Sequence, residues 1–249
     1  MGIIAGDRPM KLAVPRESTP GERRVAIVAD SVKRLAEKKI AVTIEAGAGL
    51  GAQLRDDDYL AVGAQVEASR PALLQAADVV VQVRAPSLAE VAALREGSAL
   101  VCMLQPRGNP ALVQALAARQ ITAFAVDLLP RSTVAQSMDM LSSQATVAGY
   151  EAVLAAASAL PRFFPMLMTA AGTIPPAKVL VLGAGVAGLT AIGTARRLGA
   201  VVEAFDVRRA AKEQVESLGA RFVEVEGSED AEAKGGYARE VSEAACAKQ

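Results

Sequence analysis

The sequence predicts an α/β fold built from two parallel-sheet units in tandem. Three observations predict it. Short apolar runs of strand length alternate with helix-length amphipathic stretches along the 249 residues. The strand-like runs are apolar throughout, as expected when helices cover both faces of a sheet. Hydrophobic residues make up 52% of the chain and aromatic residues only 3%, so the core must be Ala, Val and Leu, which lets helices lie close on a sheet.

The elements follow in order. Residues 11–17 read as a buried strand leaving into a turn at Pro20 and Gly21. Residues 29–39 have helical spacing, with Val32, Leu35 and Ala36 on one face and Lys33, Glu37 and Lys38 on the other. Residues 40–47 alternate and are rich in β-branched side chains, which gives a strand. A helix at 56–62, a strand at 64–67, a helix at 71–76 and a strong strand at 77–86 come next. Ser87 with Glu90 three residues later is a capping box that opens a helix over 87–97, closed at Gly97. Residues 98–104 are a strand, and Asn109 with Pro110 starts a helix over 109–120. Residues 121–129 are a further strand. After Pro130 the texture turns small and polar, then Ala-rich, and 134–160 reads as a long helix or helix pair joining the two units. Residues 169–177 read as a loop. The second unit runs strand 178–182, helix 186–198, strand 201–205, helix 208–218 and strand 221–225. A polar loop at 227–236 and a helix at 237–248 end the chain.

Composition excludes several classes. Lys+Arg and Asp+Glu both number 27, so no basic excess points to nucleic acid. No histidine is present, which removes every Ser-His-Asp, Cys-His or His-metal site. Cys102 and Cys246 lie far apart, Cys102 in an apolar run, so a reducing compartment is expected. The N-terminus lacks the features of a signal peptide. The longest uncharged stretch, 179–195, is short for a membrane span of ~20 residues. The reading is a soluble chain with no catalytic acid–base group and no metal site.

The most informative stretch is KVLVLGAGVAGLTAIGTARRLGAVVEAFDVRR. Gly183, Gly185 and Gly188 form G-x-G-x-x-G between an apolar strand and an amphipathic helix, with a second strand ending at Asp206. Gly183 permits the tight turn out of the strand. Gly185 lets backbone N–H groups, Val186 among them, reach a pyrophosphate, and Gly188 permits close packing. Phosphate charge is favoured at the helix N-terminus. Asp206 stands where a carboxylate holds ribose hydroxyls and repels a 2′-phosphate, so NAD(H) is expected over NADP. Val207 and Arg208 follow as further cofactor-binding positions. An arginine nearby can accept a 2′-phosphate, which complicates the choice, whereas Arg209 reads as a solvated helix start. The unit is Rossmann-like.

Motifs along the whole chain from Met10 onward closely resemble the NAD-binding component, the α subunit, of proton-translocating NAD(P) transhydrogenase. They are MKLAVPRE with GERRVAI, PRSTVAQSMDMLSSQATVAGYEAV, TAAGTIPPAKVLVLGAGVAGL, AFDVR, AKEQVESLGARF and GGYARE. The resemblance implies two Rossmann-like domains joined by a long helical segment. Their bounds are an extension at 1–9, an N-terminal domain at 10–133, a connecting segment at 134–165 and an NAD-binding domain at 166–249. Because the family continues past this length, the second domain is expected to be incomplete. It implies direct hydride transfer between NADH and NADP⁺ held on another component, coupled to proton movement across a membrane. It implies a homodimer docked through a membrane proton-channel component and an NADP(H)-binding component, peripheral on the cytoplasmic face of the inner membrane. It assigns Arg131, Gln136, Asp139 and Ser142 to the nicotinamide and its ribose, and Gly236 and Tyr237 to a loop closing over the nucleotide. Val134 stands where the family commonly has a second arginine.

Two other readings compete. Alanine dehydrogenase is similar in fold and in the start of the chain, but its chemistry needs a Lys and a His, and Gln82 and Gln105 stand where those are expected here. Hydride transfer between two nicotinamides moves no substrate proton and needs no general acid or base. The other alternative is a non-catalytic NAD-binding module. Arg16 reads as a strand-end ion pair without a functional role.

Overall fold

The computed structural model describes residues 8–130 and 132–225. The chain divides into two compact units, Met1–Met138 and Asp139–Gln249. The loop expected at 227–236 and the helix at 237–248 lie outside the described residues.

Unit 1 holds a six-stranded sheet in which every pairing is parallel. Its elements are β1 (Met10–Val14), α1 (Ala29–Glu37), β2 (Ile40–Glu45), α2 (Asp56–Leu60), β3 (Gln65–Glu67), α3 (Arg70–Ala76), β4 (Val79–Arg84), α4 (Leu88–Ala93), β5 (Ala99–Met103), α5 (Pro110–Ala118) and β6 (Thr122–Ala125). The strand order is β3-β2-β1-β4-β5-β6, a doubly wound sheet that reverses direction between β1 and β4. Alternation along β1 divides the core in two. Leu12 and Val14 pack with Val32, Ile44 and Tyr59. Ala13 packs on the other face with Leu74, Val80, Val91, Leu100 and Leu116. Helices therefore cover both faces, as the apolar strands predict. Cys102 is buried in β5, and burial pushes its thiol up to about 12.

Carboxylates fasten the loop that follows β1. Glu45 accepts the Arg16 N–H at 2.8 Å, and the Arg16 carbonyl accepts from the Arg70 guanidinium. The expected ion pair at Arg16 is thus replaced by backbone bonds. Glu17 accepts the N–H groups of Val83 and Arg84 at 2.6 and 3.1 Å. Glu22, nearly buried, pairs with Arg24 at 2.6 Å and Arg84 at 2.9 Å. Tyr59 donates to the Ile27 carbonyl at 2.8 Å. The hydrogen bond from Arg24 is the main reason the Glu22 carboxyl falls from 4.5 to about 2. A lowered folded-state value contributes stability that is present above the unfolded value and is lost as pH falls toward the folded one. Thermal melts should therefore show wild type losing stability from pH 4.5 down to about 2. Glu22→Gln should lack that component; parallel acid profiles for the two proteins would refute it.

Unit 2 opens with α6 (Met140–Ala159), followed by β7 (Leu167–Thr169), β8 (Gly172–Ile174), β9 (Lys178–Leu182), α7 (Val186–Arg197), β10 (Val201–Phe205), α8 (Ala211–Ser217) and β11 (Arg221–Phe222). Its parallel sheet has the order β11-β10-β9. That is the first half of the arrangement that unit 1 completes with six strands. Ile192, Ala195, Val202, Ala204 and Val215 form its core, with Val153 of α6. Helix α6 lies against α7 so closely that a Cβ on Gly149 would stand 2.1 Å from the Ala187 carbonyl oxygen. Among the described residues no helix is long and apolar enough to cross a membrane.

Several expected boundaries shift for local reasons. The helix expected at 87–97 has its capping box but ends at Ala93, because Leu94 turns extended to be buried. Asn109 does not cap α5; its amide donates to the carbonyls of Leu104 and Gln105 instead. The strand expected at 121–129 stops at Ala125. Asp127 accepts the N–H groups of Leu104 and Gln105 at 2.8 and 3.1 Å, which turns Val126–Leu128 into a 3-10 helix. Within the loop expected at 169–177, three residues form β8, paired antiparallel with β7. The helix expected at 208–218 starts at Ala211, and the strand expected at 221–225 pairs only at Arg221 and Phe222. Ala36 is exposed rather than turned to the core.

Candidate nucleotide-binding site

Strand β9 delivers the chain to Gly183, whose φ of +93° makes the turn out of the sheet. Its N–H donates to the Phe205 carbonyl at 2.8 Å, which ties the turn to the end of β10. Ala184 is buried, and its N–H donates to Asp206 Oδ2 at 2.7 Å. Gly185 is the N-cap of α7 and has no side chain to cap the helix. A Cβ placed on it would meet no atom within 4 Å. At Gly188 the opposite holds, since a Cβ would stand 1.7 Å from the Gly183 carbonyl oxygen. The three glycines thus serve three needs: a left-handed turn, an open face before a helix N-terminus, and a backbone contact without room for a side chain. The close contact at Gly188 is with the loop's own carbonyl.

Asp206 follows β10 directly and its side chain is 6% exposed. Oδ1 accepts the Arg208 N–H at 2.8 Å and Arg208 Nε at 2.9 Å. Oδ2 accepts Ala184 N–H at 2.7 Å and Arg208 Nη2 at 2.9 Å. Burial pushes this carboxyl up, but the Arg208 guanidinium, the Arg208 N–H and the Ala184 N–H outweigh it and hold the group below its usual range. Asp206 is therefore an anion at neutral pH, and it joins the acid expected for a ribose to the loop expected for phosphate. Both features are legible in the sequence, but the bond between them is not. Its one signal is their 22-residue separation, because in-register pairing of Leu182 with Phe205 brings the two strand ends side by side. Val186 is the first residue of α7, Val207 is half-buried, and Arg209 is exposed.

Asp139 and Ser142 come together as a helix cap. Asp139 Oδ1 accepts the Ser142 N–H at 2.9 Å, and the Ser142 hydroxyl donates to Oδ2 at 2.6 Å. Asp139 is the N-cap of α6, where a carboxylate also offsets the helix dipole. Ten residues on, Gly149 meets the second residue of α7, about 15 Å along the α6 axis. Gln136 lies exposed on a 3-10 turn, Ala135–Met138, whose start is held by the Ser132 hydroxyl and carbonyl. Arg131, Gly236 and Tyr237 lie outside the described residues. Unit 1 has a separate open cavity of about 540 Å³ between its loops at 18–20, 85–88 and 108–112, and none of the predicted site residues lines it. Gln82 donates to the Arg84 carbonyl at 2.7 Å, so its amide serves the backbone of its own strand.

These features define a doubly wound α/β protein with a glycine-rich loop of the dinucleotide-binding kind, anchored by an acid at the end of the second strand. The chain belongs to the alanine dehydrogenase/PNT family. The family model "Alanine dehydrogenase/PNT, N-terminal domain" matches residues 13–148, and "Alanine dehydrogenase/PNT, C-terminal domain" matches 152–246. The chain is 52% identical over 241 residues to an NAD(P) transhydrogenase subunit alpha polypeptide of Rhodospirillum rubrum, covering 94% of this chain and 63% of that one. A solved transhydrogenase from Sinorhizobium meliloti superposes with a TM-score of 0.83 at 51% identity, covering 86% of this chain and 64% of that chain. A solved L-alanine dehydrogenase superposes at 0.75 with 29% identity, covering 86% of this chain and 60% of that one. The chain therefore spans less than two thirds of the length of these relatives, and it is a homologue of the transhydrogenase α subunit.

Proposed function

We propose that this chain is the NAD(H)-binding component of a proton-translocating transhydrogenase, passing hydride directly between NADH and NADP⁺ held on a partner component. The observation that carries the reading is the Gly183–Gly188 loop locked to Asp206. The open face at Gly185 ahead of a twelve-residue helix fits a pyrophosphate. Gly183, Gly185 and Val186 would hold the phosphates, with Gly188 setting the loop, and Asp206, Val207 and Arg208 would face the adenosine ribose. Arg131, Gln136, Asp139 and Ser142 would orient the nicotinamide, and Gly236 and Tyr237 would cover the nucleotide. Bound NADH supplies the hydride. The protein's role is to fix the ring against its acceptor, which is a matter of orientation and not of proton transfer. A chain without histidine is suited to that chemistry. The identity to transhydrogenase α subunits, well above that to alanine dehydrogenase, supports the same choice. The partners are the membrane proton-channel and NADP(H)-binding components, with the chain a homodimer held peripherally on the cytoplasmic face of the inner membrane.

The test is hydride transfer from NADH to an NADP analogue after the partner components are added. Turnover that depends on this chain is the expected result. NADH binding without turnover would leave only a nucleotide-binding module. Alanine-dependent formation of NADH would revive the dehydrogenase reading.

A further inference from the structure

Helix α6 contains one glycine, Gly149, in a run otherwise rich in alanine. Glycine weakens a helix relative to alanine, so its place needs a packing reason. The reason is contact with backbone. A Cβ on Gly149 would stand 2.1 Å from the carbonyl oxygen of Ala187 and 2.9 Å from the carbonyl carbon. Ala187 is the second residue of α7, in the turn that follows the Gly185 opening. Gly149 and Val153 are the buried residues of α6, and Val153 shares a core with Ile192 and Ala195 further along α7. Past the end of α6, Pro165 lies against Gly199, which follows α7, and the Phe164 carbonyl accepts the Ala177 N–H at 3.1 Å at the entry to β9. The C-terminal half of α6 therefore runs beside α7 in the same direction. Its residues before Gly149, with the Asp139–Ser142 cap, project past the N-terminus of α7 on the side of the glycine loop.

We propose that Gly149 is a positioning residue: its contact with Ala187 sets the reach of the α6 N-terminus past the glycine loop, and so the spacing between the nicotinamide and pyrophosphate half-sites. The inference rests on the assignment of Asp139 and Ser142 to the nicotinamide end and adds what holds that end in place. Ser142 lies seven residues before Gly149, about 10 Å along the helix, on the scale of a nicotinamide riboside. Of the two helices, α7 is the one that cannot yield. Its first turn is pinned by the contact of Gly188 with the Gly183 carbonyl, by the Gly183–Phe205 bond and by the Ala184–Asp206 bond. A methyl at position 149 needs at least 3.0 Å from the Ala187 oxygen, so α6 has to move outward by about 1 Å. Held at Val153, four residues on, α6 turns as a lever, and Asp139, fourteen residues from that pivot, moves about threefold further. The phosphate loop stays where it is.

The test compares ADP, which ends at the pyrophosphate, with NADH, both titrated calorimetrically into the full chain. Gly149→Ala should weaken NADH binding by about tenfold and leave ADP within about twofold of wild type, because the loss of one or two hydrogen bonds falls on the nicotinamide end alone. Val215→Ala thins the same core at α8 and leaves the Gly149 contact intact. It should weaken the fold yet keep the wild-type ratio of NADH to ADP affinity. One alanine inserted after Ala145 keeps Gly149 and Val153 in place and turns the α6 N-terminus by about 100°. It should lower the same ratio, so the proposal does not depend on Gly149→Ala folding well. An unchanged ratio in either α6 variant, a parallel loss of both ligands, or an equal fall in Val215→Ala would overturn it. A Ser142→Ala chain with the wild-type ratio would overturn the nicotinamide assignment beneath it, a different and recognisable failure.

Discussion

Gly185→Ala should leave unit 2 folded and abolish nucleotide binding, whereas Gly188→Ala should break the loop itself. The two positions lie three residues apart in one motif, and a sequence comparison would treat them alike. Gly185 has φ −77° and ψ −168°, extended backbone open to any residue, and a methyl there would touch nothing. Its replacement should change stability by less than about 1 kcal/mol, and could raise it slightly by restricting the unfolded chain. The methyl would, however, stand on the face where backbone N–H groups must meet a pyrophosphate. At Gly188 the new methyl would lie 1.7 Å from the Gly183 carbonyl oxygen, a backbone atom that cannot rotate away. The helix would have to lift off the loop, with loss of the Gly183–Phe205 and Ala184–Asp206 bonds that fix the turn. Overpacking of this kind costs about 3 kcal/mol or more when the obstacle is backbone. Urea unfolding followed by circular dichroism, with NADH titration on the same samples, separates the two. A Gly185→Ala protein that binds NADH like wild type would show that the loop is not a phosphate cradle.

The contrast also shows what a sequence can and cannot disclose. Strands β9 and β10 have the predicted bounds, because a glycine turn and an apolar run fix their ends locally. Most of the six-stranded sheet of unit 1 is legible for the same reason, as β1, β4 and β5 are short apolar runs and β2 alternates between turn residues. The errors fall where a distant group decides. Nothing near Val126 announces that Asp127 will bond the N–H groups of Leu104 and Gln105 and curl the strand end. The β7–β8 hairpin lacks alternation, with Gly172 and two threonines among its few residues, so only pairing reveals it. Gly149 reads as an ordinary flaw in an Ala-rich helix until the Ala187 carbonyl is placed against it. In the candidate site, the residue types at 183, 185, 188 and 206 were readable from spacing. The occupation of Asp206 by Arg208 was not, since it depends on side-chain direction at a strand end.

Removing Arg70 should destabilise unit 1 by about 3–5 kcal/mol, the cost of leaving a buried ion cluster without its cation. Arg70 begins α3 and reaches two carboxylates, Glu45 at the end of β2 and Glu90 in the first turn of α4, as well as the Arg16 carbonyl. The side chains of Glu45 and Glu90 are 9% and 16% exposed, so solvent can do little to replace it. Arg70→Met would leave Glu45 with the Arg16 N–H, and Glu90 with the Ser87 N–H, the Ser87 hydroxyl and the Ser18 hydroxyl. Those bonds do not remove the repulsion between two anions that lose their shared partner. Burial pushes the Glu90 carboxyl up, while Ser87 and Arg70 hold it below its usual range. That lowered value contributes stability above the unfolded pKa and loses it as pH falls. The deficit of Arg70→Met should therefore be largest near neutral pH and shrink below pH 4.5 as Glu90 protonates. Denaturant unfolding at the two pH values tests this, and adding Glu45→Gln should recover some of the loss. A deficit under about 1 kcal/mol, or one that does not change with pH, would mean that the cluster is solvated and holds little. The expected result assigns the two units different uses of one topology. In unit 1 the carboxyl end of β1, next to the point where the sheet reverses, is closed by ion pairs that fasten its loop. In unit 2 the carboxyl end of the corresponding first strand, β9, opens at Gly185 toward a helix N-terminus, with its single buried ion pair among the described residues, Asp206 with Arg208, placed beside the opening.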